Sequence, residues 1–186
     1  MPISFDDVAK KRLVENSFES VSLLQEACRI VCEREGVYET QKENKVVGSE
    51  ADIGALMRHV VDEQAGRYMA FLTNFAEGFQ QTEYDMYRWL IYAVLRTPAD
   101  ELETGIRRTA ISRIIKEKHP AEKLNEGNIT QALQNAASLQ VNKSIHPIIL
   151  DYDQTTRVLS VVDRSFLVWL QHQNPAALVD ELGIED

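Results

Sequence analysis

Apolar residues recur at helical spacing through most of the chain, and the period shifts to that of strands only near the carboxy terminus. The first helical stretch opens at Ser4, a residue able to cap, followed by acidic Asp6 and Asp7. It carries Phe5, Val8, Leu13 and Val14 on one face and stops near Asn16. A second follows Ser17, with Val21, Leu24, Ala27, Cys28, Val31 and Cys32 at helical spacing and Gly36 placed to close it in a left-handed cap. Residues 1–37 therefore read as a helical pair. Residues 38–49 are polar and charged apart from Val46, Val47 and Gly48, the composition of a linker or mobile loop. Ser49 then precedes a long connecting helix over residues 50–80, apolar at Ile53, Leu56, Val60, Val61, Tyr68, Phe71, Leu72 and Phe75, with Gly54 and Gly66 as points of kinking.

Residues 81–173 form the next segment. Glu83 to Arg96 is apolar on nearly every side, with Tyr84, Tyr87, Trp89, Leu90, Ile91, Val94 and Leu95, so it predicts a helix central to a core that Pro98 ends. After Gly105-Ile106 come a helix from Thr109 through Ile111, Ile114 and Ile115 to His119-Pro120 and, past Gly127, another from Asn128 to Gln140. His146 to Asp151 and Arg157 to Val162 are β-branched runs flanking Asp153-Gln154-Thr155, which predicts a hairpin, and Phe166, Leu167, Trp169 and Leu170 mark a last helix. Three helices followed by a two-stranded ribbon is the order of a winged helix-turn-helix, with Asn128–Gln140 as recognition helix. The fold class expected is mainly α, with one β-hairpin. Residues 174–186, with Asp180, Glu181, Glu185 and Asp186 and no basic residue, read as a solvated acidic tail.

Charge sharpens the functional choice. A net charge of −9 argues against nonspecific nucleic-acid binding by the surface as a whole. One stretch is locally basic: Arg107, Arg108, Arg113, Lys116, Lys118 and Lys123 face only Glu117 and Glu122. In a DNA-binding winged helix, Arg107, Arg108, Arg113 and Lys116 would contact phosphates, while Asn128, Thr130, Gln131, Gln134 and Asn135 would offer polar groups to base edges. The recognition helix carries no lysine or arginine before Lys143, and Asp151, Asp153 and Asp163 outweigh Arg157 and Arg164 near the hairpin. The same residues therefore also fit a protein-docking surface, and the balance of charge favours docking.

The stretch Phe5-Asp-Asp-Val-Ala-Lys-Lys-Arg-Leu-Val-Glu-Asn-Ser-Phe-Glu-Ser-Val-Ser-Leu-Leu-Gln-Glu-Ala-Cys resembles the helical lid that follows the nucleotide-binding core in AAA+ and STAND-type ATPases of prokaryotes. In those proteins a winged helix commonly comes later, as in archaeal replication-initiator ATPases. The resemblance implies the carboxy-terminal half of such an ATPase, with an ATPase domain in the same or another chain as partner. The lid turn reads Glu19-Ser20-Val21-Ser22 where many relatives carry glycine and asparagine, and no sensor arginine is evident. No Gly-x-x-x-x-Gly-Lys-Ser/Thr string, whose backbone amides would cradle phosphates, occurs anywhere.

Other chemistry has structural explanations. Cys28 and Cys32, one helical turn apart, lie on an apolar stripe and read as core rather than as half of a metal site. His59 and Glu63 lack the second histidine of a zinc helix, and His119, His146 and His172 have no serine or cysteine nucleophile beside them. Tyr84, Tyr87, Trp89 and Tyr92 read as core rather than as a stacking platform. The expectation is a noncatalytic regulatory or adaptor region without metal or cofactor, cytoplasmic because the amino terminus lacks a secretory leader, with a protein partner and no membrane. The alternative is a free-standing winged-helix DNA-binding regulator.

Overall fold

The computed structural model describes residues 3–79, 84–121 and 124–184. Within them the chain is mainly helical, with eleven helices and five short strands, and it divides into two compact units, Met1–Gln64 and Ala65–Asp186.

The first unit departs from a plain helical pair at its start. Ile3–Phe5 is a strand, β1, and pairs in parallel with β2 (Lys45–Val47), in the register Ile3 to Lys45 and Phe5 to Val47. Helix α1 (Asp7–Asn16) is capped by Asp6, not Ser4: the Asp6 carboxylate accepts from the backbone N–H groups of Val8 and Ala9 at 3.0 and 3.1 Å. Its buried side chains are Ala9 and Leu13, whereas Val8 and Val14 are exposed. Helix α2 (Val21–Arg34) begins after a Ser20 cap, and buries Leu23, Ala27 and Val31, a stripe at strict four-residue spacing. The stretch expected as linker or mobile loop, 38–49, thus holds a strand, and Gly48 after it lies at φ 90°, where an added Cβ would come within 3.0 Å of the Ala9 methyl.

The long connecting helix is two helices. α3 (Ile53–Asp62) is capped by Asp52, which replaces the expected Ser49, and α4 runs from Ala65 to Glu77. The boundary between the two units falls between them, so residues 50–80 do not form one element.

In the second unit α4 buries Tyr68, Phe71, Leu72 and Phe75. Helix α5 (Met86–Leu95) is buried at Met86 and at every position from Trp89 to Leu95, as its continuous apolar run predicts; Glu83, the expected start, lies outside the described residues. A short helix α6 (Ala99–Thr104) ends at Gly105, where φ is 90° and any Cβ would come within 2.5 Å of Val158. Then follow β3 (Ile106–Arg107), α7 (Arg108–Lys118), α8 (Glu126–Gln134) and α9 (Ala136–Asn142). Strands β4 (Leu150–Asp153) and β5 (Val158–Val161) pair antiparallel around the turn Gln154–Arg157, and β3 adds to the other side of β5, giving the order β3-β5-β4. The hairpin is therefore shorter than the β-branched runs and belongs to a three-stranded sheet.

The helix expected over Asn128–Gln140 is broken. Asn135 takes φ −94° and ψ 0°, ending α8 and starting α9. Gln140 on α9 is fully buried: its amide donates to the carbonyls of Ala136 (2.9 Å) and Leu150 (2.7 Å) and accepts from the N–H groups of Ile149 (2.6 Å) and Leu150 (3.0 Å). Helix α10 (Arg164–Gln171) brings Phe166 and Trp169 into an aromatic cluster with Tyr68 and Phe71. The acidic tail is not a solvated end over its described part: Asn174 caps α11 (Pro175–Glu181), and Leu178, Val179 and Ile184 are buried. Glu185 and Asp186 lie outside the described residues.

Candidate functional site

Where α7 and α8 approach the β4–β5 turn, polar side chains gather on one face of the second unit. Glu126 sits in the first turn of α8, which Asn125 caps through the Gly127 N–H at 2.8 Å. Its carboxylate accepts from Arg108 at 2.6 Å, from the Ser112 hydroxyl at 2.7 Å and from Lys116. Hydrogen bonds from Lys116 and Ser112 outweigh the cost of partial burial and, with Arg108, pull the carboxyl down to about 2. Three side chains of α7, set one helical turn apart, thus converge on one carboxylate of α8.

Beside this cluster lies an open cleft of about 390 Å³, lined by Arg108, Glu126, Gly127, Thr130, Gln134, Tyr152, Gln154 and Arg157. The amides of Gln134 and Gln154 meet across it at 3.4 Å, while the Thr130 hydroxyl donates to the Glu126 carbonyl. The turn is built by Asp153, whose carboxylate accepts from the Thr155 N–H and the Thr156 hydroxyl, both at 2.7 Å; these bonds hold it below the usual carboxylate range. Arg157 closes the turn in the left-handed region, at φ 58°, and its carbonyl accepts the Arg108 N–H at 2.9 Å.

The expected site residues separate into groups. Arg108, Thr130 and Gln134 line the cleft, and Lys116 joins through Glu126. Gln131 is exposed and Asn128 half-buried on α8. Arg107 and Arg113 are exposed but do not line the cleft. Asn135, at the helix break, is a hydrogen-bond partner of Tyr87, so it serves the interior rather than the outer face. Of the basic stretch, Glu122 and Lys123 lie outside the described residues. Glu126, Gln154 and Arg157 were not among the expected site residues. Glu126 had a visible signal, an acidic first-turn residue after a cap, and Arg157 closes a turn that the sequence does mark.

Elsewhere, Cys28 and Cys32 are half-buried rather than core, and burial pushes both thiols up, with Glu35 and Glu33 adding to the effect at Cys32. His59 and Glu63 are exposed. His119 accepts the Ala121 N–H at Nδ1 and meets the Tyr84 carbonyl at Nε2, both at 3.0 Å, in a packing role against Trp89. Trp89 and Tyr92 are buried, and Tyr84 and Tyr87 half-buried. Among the described residues no group of three or more His, Cys, Asp or Glu side chains is placed to hold a metal, and no helix is long and apolar enough to cross a membrane. No family model, curated protein or solved structure matches the chain.

Proposed function

We propose that this chain is a noncatalytic adaptor region of an ATPase-type system. In this reading residues 1–37 of the first unit are the lid-like helical pair, and residues 81–173 of the second form a winged helix that docks a protein partner, with α7 and α8 as helix-turn-helix and the β4–β5 turn as wing. Support for the winged helix comes from the order α5, α6, β3, α7, α8, α9, β4, β5, helices followed by a hairpin, and from the antiparallel β3-β5-β4 sheet. The lid reading rests on the α1–turn–α2 stretch that carries the sequence resemblance.

One observation favours protein over DNA. Glu126 engages Arg108 and Lys116, two cations that a phosphate backbone would require, and puts its own negative charge at the helix start where phosphate would approach. Asp151 and Asp153 stand exposed on the neighbouring strand, and α8 offers an amide at Gln131 without a lysine or arginine. Such a face meets a polar protein surface at lower electrostatic cost than a polyanion.

A photoreactive residue placed at Gln131 tests this in the cell. The expected adduct is destroyed by protease and untouched by nuclease; an adduct that nuclease trims contradicts docking. A second photoreactive residue, at exposed Val14 on α1, tests the lid reading: a P-loop domain is the expected capture, and consistent capture of anything else contradicts it. The competing reading, a free-standing DNA-binding regulator, draws on the exposed Arg107 and Arg113, and the nuclease result at Gln131 decides it.

A further inference from the structure

Within the docking reading just given, we propose that the cleft between α8 and the β4–β5 turn receives a single carboxylate side chain, Asp or Glu, of the protein partner, and that Arg157 grips it. Arg157 occupies a left-handed position that glycine or asparagine would fill without strain, yet carries a long cationic side chain. Phe18, Glu19, Asp85 and Ser144 share this backbone region, and of the five Arg157 alone lines the cleft. The carbonyl of Arg157 is fixed by the Arg108 N–H at 2.9 Å, so the guanidinium extends from an anchored stem. Among the described residues it has no carboxylate partner, whereas Arg108 is committed to Glu126 at 2.6 Å.

The cleft therefore presents one uncommitted positive charge, flanked by the amides of Gln134 and Gln154, in a space of about 390 Å³. A planar carboxylate matches the guanidinium fork through two parallel hydrogen bonds, and neighbouring amides can donate to its remaining lone pairs. A duplex would bring several phosphates at once against Glu126, Asp151 and Asp153, whereas a lone carboxylate in the cleft meets only Glu126, whose charge Arg108 and Lys116 already offset.

The test titrates isotope-labelled full-length chain with the blocked tripeptide Gly-Glu-Gly and its Gly-Gln-Gly counterpart, following the amide signals of Gly127 and Gln154 and the side-chain signal of Arg157 by NMR. The glutamate peptide is expected to bind about fivefold tighter than the glutamine peptide. Arg157→Asn, which tolerates the left-handed backbone and so keeps the turn, is expected to erase that preference, while Arg157→Lys keeps part of it. Equal binding of the two peptides, or a preference that survives in Arg157→Asn, overturns the carboxylate site. With a protein adduct at Gln131 that failure removes this inference alone, whereas a nucleic-acid adduct removes the docking reading and this inference together.

Discussion

Phe18 and Glu19 lie consecutively in the left-handed region, at φ 46° and 60°, in the turn between α1 and α2. Each such non-glycine residue costs about 1 kcal/mol. Phe18 has compensation, because its ring is buried, while Glu19 is exposed and has none. Glu19→Gly is therefore expected to raise stability by up to about 1 kcal/mol, net of glycine's greater freedom in the unfolded chain, read as a higher urea midpoint with an unchanged slope. A lower midpoint would mean that the Glu19 side chain contributes a contact that outweighs its backbone. Glu126 makes a second residue-scale prediction. Its folded-state carboxyl is depressed to about 2 from an ordinary value near 4.5, so its contribution to stability is complete above 4.5 and fades as pH falls toward 2. The stability gap between the wild type and Glu126→Gln should accordingly narrow on acidification through that window. A gap independent of pH would show that the Arg108–Ser112–Lys116 cluster does not hold the charged form.

At the scale of elements, buried Gln140 ties α9 to Leu150 of β4 and to Ile149 just before it with three hydrogen bonds, and its fourth goes to Ala136 within α9. Gln140→Leu keeps the approximate volume but leaves the N–H groups of Ile149 and Leu150 and the Leu150 carbonyl without that partner. Thermal and urea unfolding should register a loss of about 3 kcal/mol, and a near-neutral result would mean that the hairpin does not depend on this amide. Elements with wide apolar faces, such as α5 with its buried Trp89–Leu95 run, were legible in the sequence because their burial is written as periodicity. The β4–β5 pairing was legible from its β-branched runs, though not its register. What escaped were elements defined by distant partners. Three residues, Ile3–Phe5, show no alternation to recognise, and they become a strand only through Lys45–Val47. The two-residue β3 exists only because β5 accepts it. The break at Asn135 was hidden because apolar residues continue past it at helical spacing into α9. The candidate site was partly legible for the same reason: Arg108, Thr130 and Gln134 were marked by type and position, but a count of charges along the chain does not show that Glu126 of α8 takes up Arg108 and Lys116 of α7.

For the molecule as a whole, the electrostatic question is whether any surface of a chain carrying −9 attracts a polyanion. The second unit holds the best candidate face, and there Arg108 and Lys116 beside α8 are paired with Glu126 while Asp151 and Asp153 remain exposed. The proposed docking reading requires no free cationic stripe, only an exposed arginine such as Arg157 to meet an acidic group. The most direct test is an anisotropy titration of the full chain against a pool of random-sequence duplexes over about 50 to 200 mM salt. The account predicts no saturable binding tighter than about 10⁻⁴ M at physiological salt. Micromolar or tighter binding, with affinity falling steeply and linearly in log salt, would contradict it.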